Sequence, residues 1–332
     1  MKEIRRANRF FLITVAVYVM GSLGIAYLCR YVALPYNLRV MSGQILIGLS
    51  LAGFFAVTRT SPFKLIRHAG LNITDILLVV LLMALSMPLV YLINYISMMF
   101  TENEIAQTMN GMIDNPFIVN LLMIAVCPAI IEETVCRGIM LHAYRKKSVP
   151  AAVFLSALLF GLLHMNLNQM LYAVVMGIIF ALAVEATGSI YASMIMHFLM
   201  NGFSVAMLWL LKLLTKSGIY NTDMLEQAGA LRQETEGLAA SAPLMLILLL
   251  IALLIVTATT VGAAGVLLLL AKRKNRLAEF KEMFGKGRGN KETAGAVQTE
   301  EPGDGLNAEE KHIIDLCFVL SVIICAGVMI FW

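Results

Sequence analysis

The chain has 332 residues, 60% of them hydrophobic and 14% charged, with a mean hydropathy of +0.82. Soluble domains run near half apolar and a quarter charged, so this is an integral membrane protein whose length measures spans better than domains. The net charge of +4 is mild and distributed by loop, which reports orientation in the bilayer and gives no case for nucleic acid.

The N-terminus, MKEIRRANRFFLITVAVYVMGSLGIAYLC, starts like a signal peptide. Its apolar run from Phe10 to Leu28 is too long for one, and no small-x-small cleavage site follows it cleanly, so it reads as a retained first span. Eight further stretches are apolar enough to cross a ~30 Å hydrocarbon core. With the first at 10–29, they run 38–58, 75–99, 117–143, 150–165, 168–186, 189–212, 243–271 and 313–332. Helix is the only state open to them, because lipid cannot satisfy an exposed strand edge. The expected fold is an all-α polytopic membrane protein, a bundle of eight to nine transmembrane helices. Residues 277–311 are polar, Gly-rich and poor in aromatics, and read as flexible cytoplasmic linker. The five cysteines lie in or beside apolar segments without CxxC spacing and read as buried free thiols.

Basic residues set the orientation. Lys2, Arg5, Arg6 and Arg9 precede the first span; Arg59, Lys64 and Arg67 follow the second; Arg145, Lys146 and Lys147 follow the fourth; Lys272, Arg273, Lys274 and Arg276 follow the eighth. A cytoplasmic N-terminus puts every cluster inside. The long loops 100–116 and 213–242 then lie outside, carrying mainly acids such as Glu102, Glu104, Asp114, Asp223, Glu226, Glu234 and Glu236. The expected location is the cell membrane, multi-pass, with the N-terminus in the cytoplasm.

The fourth span contains CPAIIEETVCRGIMLHAYRKK, residues 127–147, with three ionisable groups well inside its apolar part. A charge at the bilayer centre costs ~2.5–3.5 kcal/mol on insertion scales, so such groups face the bundle interior, pair, or do chemistry. Glu133 and Arg137 are four apart on one helical face and suit an ion pair. Glu132 is rotated from Glu133 by ~100° and is free to point elsewhere. The fifth span carries Phe160 and His164, and the seventh carries His197 and Asn201, each pair also four apart. At ~1.5 Å per residue, Glu132 lies ~18 Å from Tyr144, His164 ~21 Å from Pro150, and His197 and Asn201 ~12 and ~18 Å from Ser189. Four polar groups on three helices thus share one slab, below the membrane surface on the cytoplasmic side, and the site is expected to open towards the cytoplasm or inner leaflet.

A carboxylate in a low-dielectric pocket is a usable general base for water, and a neutral imidazole beside it can pass the proton to a leaving amine. A second histidine and an asparagine amide can donate to the oxyanion of a tetrahedral intermediate. These parts would hydrolyse an amide without a serine or cysteine nucleophile. Pro128, one turn before Glu132, should kink the helix and free a carbonyl. Structural readings stand beside these. Glu132 alone could be a packing hydrogen bond, His164 an interfacial residue, and His197 with Asn201 interhelical glue. Phe160 reads as packing, Asn166 and Asn168 as turn residues, and Glu185 and Asp315 as solvated span ends. His68, His142 and His312 receive no role.

EETVCR (Glu132, Glu133, Arg137), FGLLH (Phe160, His164) and HFLMN (His197, Asn201) resemble the three ordered motifs of the CPBP family. That family is the CAAX protease and bacteriocin-processing group, which includes the type II CAAX prenyl endopeptidases. The resemblance spans roughly residues 117–205. It implies a glutamate-dependent intramembrane endopeptidase with its active site buried among the central helices. By it Glu132 and His164 activate water, His197 and Asn201 hold the oxyanion, and Glu133, Arg137 and Phe160 support the site. Members have been described as metalloproteases. The preferred mechanism requires no cofactor, with zinc on Glu132, His164 and His197 as the alternative. The implied partners are a membrane-associated peptide or protein substrate and the lipid bilayer, without nucleic acid.

The expected organisation is N-terminal transmembrane helices at 1–116, the catalytic core at 117–212 and an outer loop with the eighth helix at 213–271. A flexible linker at 272–311 and a C-terminal transmembrane helix at 312–332 complete it. Two competing functions are a non-catalytic immunity or peptide-binding protein of the same fold, and a proton-coupled transporter using the buried Glu and His.

Overall fold

A computed structural model describes residues 2–61, 67–101, 108, 111–217, 242–284 and 313–331. The helices are α1 (Lys2–Leu28), α2 (Tyr36–Thr58), α3 (Ile73–Met98), α4 (Phe117–Arg145), α5 (Val149–Leu163), α6 (Leu167–Thr187), α7 (Ile190–Lys216), α8 (Ala242–Arg273), α9 (Leu277–Glu282) and α10 (Leu316–Phe331). Seven of them are long and apolar enough to cross a membrane, while α5 and α10 are apolar but shorter. Among the described residues the only β pairing is a single bridge between His68 and Ser189. The chain is an all-α polytopic membrane protein.

The helices follow the apolar runs closely, with one extension. α1 begins at Lys2, well ahead of the apolar run, and its first turns bury Ile4, Ala7, Asn8 and Phe11. Lysine and arginine are good helix formers, and this spacing gives the polar start one buried face. Asn8 then ties three elements together. Its Nδ2 donates to the Ile313 carbonyl at 2.9 Å, and its Oδ1 accepts from the Tyr144 hydroxyl at 2.5 Å.

The end of the bundle that carries the basic residues is stitched by buried ion pairs. Glu185, at the end of α6, is 3% exposed, so it is not the solvated span end expected of it. Arg145 binds it bidentately, Nε to Oε1 at 2.9 Å and Nη2 to Oε2 at 3.0 Å. Arg67 Nη1 reaches Oε2 at 3.1 Å, and Arg276 Nε donates to the Glu185 carbonyl at 2.8 Å. A buried carboxylate needs such compensation. Asp75 plays the same part for α8, with Arg273 Nε at 3.0 Å and Lys274 Nζ at 2.6 Å, while forming a capping box with Asn72 at the start of α3. Asp315 caps α10 by accepting from the Phe318 amide at 2.9 Å.

These contacts revise the expected linker at 272–311. Lys272 and Arg273 finish α8, Asn275 turns the chain in the left-handed region at φ 56°, and α9 follows with Phe280 buried in the core. Residues 285–312, including His312, lie outside the described residues, as do most of the acids of the two long outer loops.

α5 and α6 form the hairpin that carries one wall of the site. Their approach is set by two glycines. A Cβ at Gly177 would sit 2.9 Å from both Cα and Cβ of Ala157, and one at Gly161 would meet the Met170 carbonyl oxygen at 2.8 Å. Small residues allow such backbone contact between membrane helices. With 15 residues, α5 spans only ~22 Å and stops inside a ~30 Å core. His164 caps it, and Met165 reverses the chain at φ 50°, a conformation an L side chain seldom takes. The short helix therefore delivers His164 to the interior.

Candidate active site

α4 does not run as a regular α-helix. A seven-residue α-helical piece, Cys127–Glu133, sits between two π-helical stretches, Leu121–Val126 and Thr134–Leu141. π turns often mark functional sites in helices. Pro128, near the start of the piece, has no N–H to offer the Ile124 carbonyl four residues earlier. That oxygen accepts instead from Asn201 Nδ2 of α7 at 2.9 Å. The freed carbonyl expected from Pro128 is thus a docking point for Asn201.

The two neighbouring carboxylates have different surroundings. Glu133 is fully buried, and its Oε1 accepts from Arg137 Nη1 at 2.9 Å and pairs with His197 Nδ1 at 3.0 Å. Arg137 also donates through Nη2 to the Gly177 carbonyl at 3.0 Å, and its guanidinium lies 4.4 Å above the Phe160 ring centroid. Paired and stacked, this buried cation is compensated from three sides. Glu132 meets no cation of this kind. Its Oε1 accepts from Gln44 Nε2 at 2.5 Å, and its Oε2 has no hydrogen-bond partner in the protein and lies 4.0 Å from His197 Nε2.

Both imidazoles have fixed tautomers. His164 Nδ1 lies 2.9 Å from the Phe160 carbonyl oxygen, which can only accept, so Nδ1 carries a hydrogen and in the neutral ring the lone pair falls to Nε2. His197 Nδ1 faces a carboxylate, which gives the same result. Phe180 stacks on His197 with centroids 5.6 Å apart and planes at 28°. Phe160 meets His164 and His197 edge-on at 5.0 and 5.6 Å. Beyond packing, Phe160 is a shared wall for Arg137 and both histidines.

Glu132, His164, His197, Asn201 and Phe160 all line one cavity of about 710 Å³. Glu133 and Arg137 sit behind its wall. Among the described residues no group of three or more His, Cys, Asp and Glu side chains is arranged to hold a metal ion.

The sequence motifs missed the residue that touches Glu132. Gln44 belongs to α2, outside every motif, yet it is an amide within an apolar span, as Asn201 is. The depth argument applied to it places Gln44 ~21 Å from Thr58, level with Glu132. Tyr18 of α1 and Tyr172 of α6 also line the cavity and were not anticipated.

Residues 114–203 match the family model of the Rce1-like type II CAAX prenyl endopeptidases. The matched segment runs from just before α4 into α7 and contains all seven motif residues. No curated protein and no solved structure matches the chain.

Proposed function

From the match of residues 114–203 to the Rce1-like family model, we propose that this protein is an intramembrane endopeptidase. It cuts a membrane-associated peptide or protein, with Glu132 as general base. The observation that carries this reading is the partnerless Glu132 Oε2, buried in a cavity wall 4.0 Å from His197 Nε2. Such a gap suits a water held between the two atoms, within reach of the carboxylate that would take its proton. His164, with Nε2 unprotonated, can receive that proton and pass it to the leaving amine. His197 would offer Nε2–H to the oxyanion when it enters the cycle as the imidazolium, its positive charge balanced by Glu133 at Nδ1. Asn201, one turn further along α7, has a second N–H left after its bond to Ile124.

Glu133 and Arg137 support the site by holding His197, and Gln44 supports it by holding Glu132. The catalytic segment is therefore completed by a helix outside residues 114–203. We place the chain in the cell membrane with its N-terminus in the cytoplasm, the orientation its basic loops favour.

The direct test is Glu132→Gln in detergent-solubilised protein, with cleavage of a membrane peptide as readout. The variant should insert and fold normally and lose turnover by ~10²-fold or more. Wild-type turnover in Glu132→Gln, or in His164→Ala, would remove the mechanism.

A further inference from the structure

The cavity has a direction. Its floor is formed by Phe160, Phe180 and His197, and His197 lies ~10 Å along α7 from Ile190, at the basic end. Its far rim includes Asn94 of α3 and Leu211 of α7, each ~31 Å from the basic end of its helix. Thr108, in the connection beyond α3, lines it as well. The space thus climbs ~20 Å from the His197 level, and ~13 Å from the Glu132 level, toward the end of the bundle opposite the basic residues.

The two ends differ in the way this requires. At the basic end Glu185 and Asp75 are buried beneath Arg67, Arg145, Arg276, Arg273 and Lys274, and Asn8 links α1, α4 and the entry to α10. No lining residue of the cavity comes from this stitched layer. Basic ends of membrane helices stay in the cytoplasm. Together these point the rim to the other side of the membrane, the reverse of the cytoplasmic opening expected from the sequence.

The lining also limits the guest. Its charge-bearing side chains are Glu132, His164 and His197, at ~10–21 Å from the basic end. Level with the outermost of these or beyond them stand neutral hydrogen-bonding groups, among them Tyr18, Asn94, Gln169, Tyr172 and Ser204. A charged guest side chain would find no counter-ion there, whereas an extended backbone, whose N–H and C=O groups lipid cannot satisfy, would find partners.

We propose that the cavity receives an extended, uncharged peptide segment from the extracytoplasmic side of the membrane, such as the outer flank of a membrane anchor or an exported peptide, and carries it down to Glu132. This rests on the peptidase reading for the cut itself, but the direction of entry stands on geometry and charge alone.

The experiment is cysteine accessibility. Ser204→Cys and Met207→Cys mark the upper cavity, and Lys147→Cys marks the basic end. Each is placed on a background lacking the five native cysteines and, in parallel, on the native chain, where the increment over wild type is read. A membrane-impermeant maleimide added to sealed cells should label positions 204 and 207 and leave 147 unlabelled until the cells are opened. Labelling of 204 and 207 only after opening, or not at all, overturns the proposal, as does labelling of 147 from outside. Glu132→Gln carried through the same assay should label identically. If that variant then accumulates no uncleaved precursor, the peptidase reading fails while the direction of entry holds.

Discussion

His197 is oriented by Glu133: imidazole Nδ1 lies 3.0 Å from a carboxylate oxygen that also receives Arg137. One buried anion therefore compensates a buried cation and sets which ring nitrogen faces Glu132. Stability and chemistry meet at Glu133, so substitutions there need a design that separates the two.

Arg137→Met alone leaves Glu133 without its cation and should cost about 3–5 kcal/mol of stability. Adding Glu133→Leu removes the orphaned charge, so thermal unfolding in detergent should return close to wild type, while turnover stays lost because nothing orients His197. Adding Glu133→Gln instead should restore stability and part of the turnover, since the amide oxygen still accepts from Nδ1–H. Equal turnover in the two double variants would show that Glu133 serves packing alone.

Gln44 holds the reactive carboxylate from a helix that carries no motif. Gln44→Met keeps the volume and loses the bond, worth about 1.5–3 kcal/mol to a charged acceptor. Turnover should fall by roughly tenfold to a hundredfold with KM little changed, because the substrate does not depend on that contact. A fall confined to KM would place Gln44 with substrate instead.

Asn201 has two duties that a double variant can separate. Asn201→Ala leaves the Ile124 carbonyl without its partner and should cost about 1–3 kcal/mol. Adding Pro128→Ala supplies a backbone N–H one turn along the helix, so stability should recover. Turnover should not recover, because the second amide N–H remains missing. Rescue of both would reduce Asn201 to a helix clip.

Gly177 is a close-contact point between α5 and α6, and its carbonyl also receives Arg137. Gly177→Ala drives a methyl into Ala157 backbone and should destabilise by about 1–3 kcal/mol. Gly24→Ala, with nothing within 4 Å of the added methyl, should be neutral within about 0.5 kcal/mol in the same unfolding assay.

The helix runs were legible because hydrocarbon thickness and hydropathy fix them nearly residue by residue. Glu132, His164, His197 and Asn201 were legible as a group because each is costly in lipid and all share one depth. Depth, however, says nothing about azimuth. It could not reveal that Gln44 faces Glu132, because that depends on how α2 leans on α4 across a gap of nearly ninety positions. Glu185 was misread for the converse reason. Its place near a span end suggests water, whereas the segment after α2, the end of α4 and the turn between α8 and α9 close over it and bring three arginines. The π winding of α4 escaped notice because a wider turn leaves no residue signature comparable to a proline.

That winding gives α4 an unusual tolerance to change in length. Each widened turn holds a surplus residue, so excising one position within Leu121–Val126 would allow the rod to tighten into ordinary α form without breaking it. The membrane crossing would survive, and because the lost residue is the surplus one, the parts on either side would keep their relative orientation. A one-codon loss there would thereby leave Glu132 facing His197, whereas the same loss in the regular α6 would swing everything beyond it by ~100°.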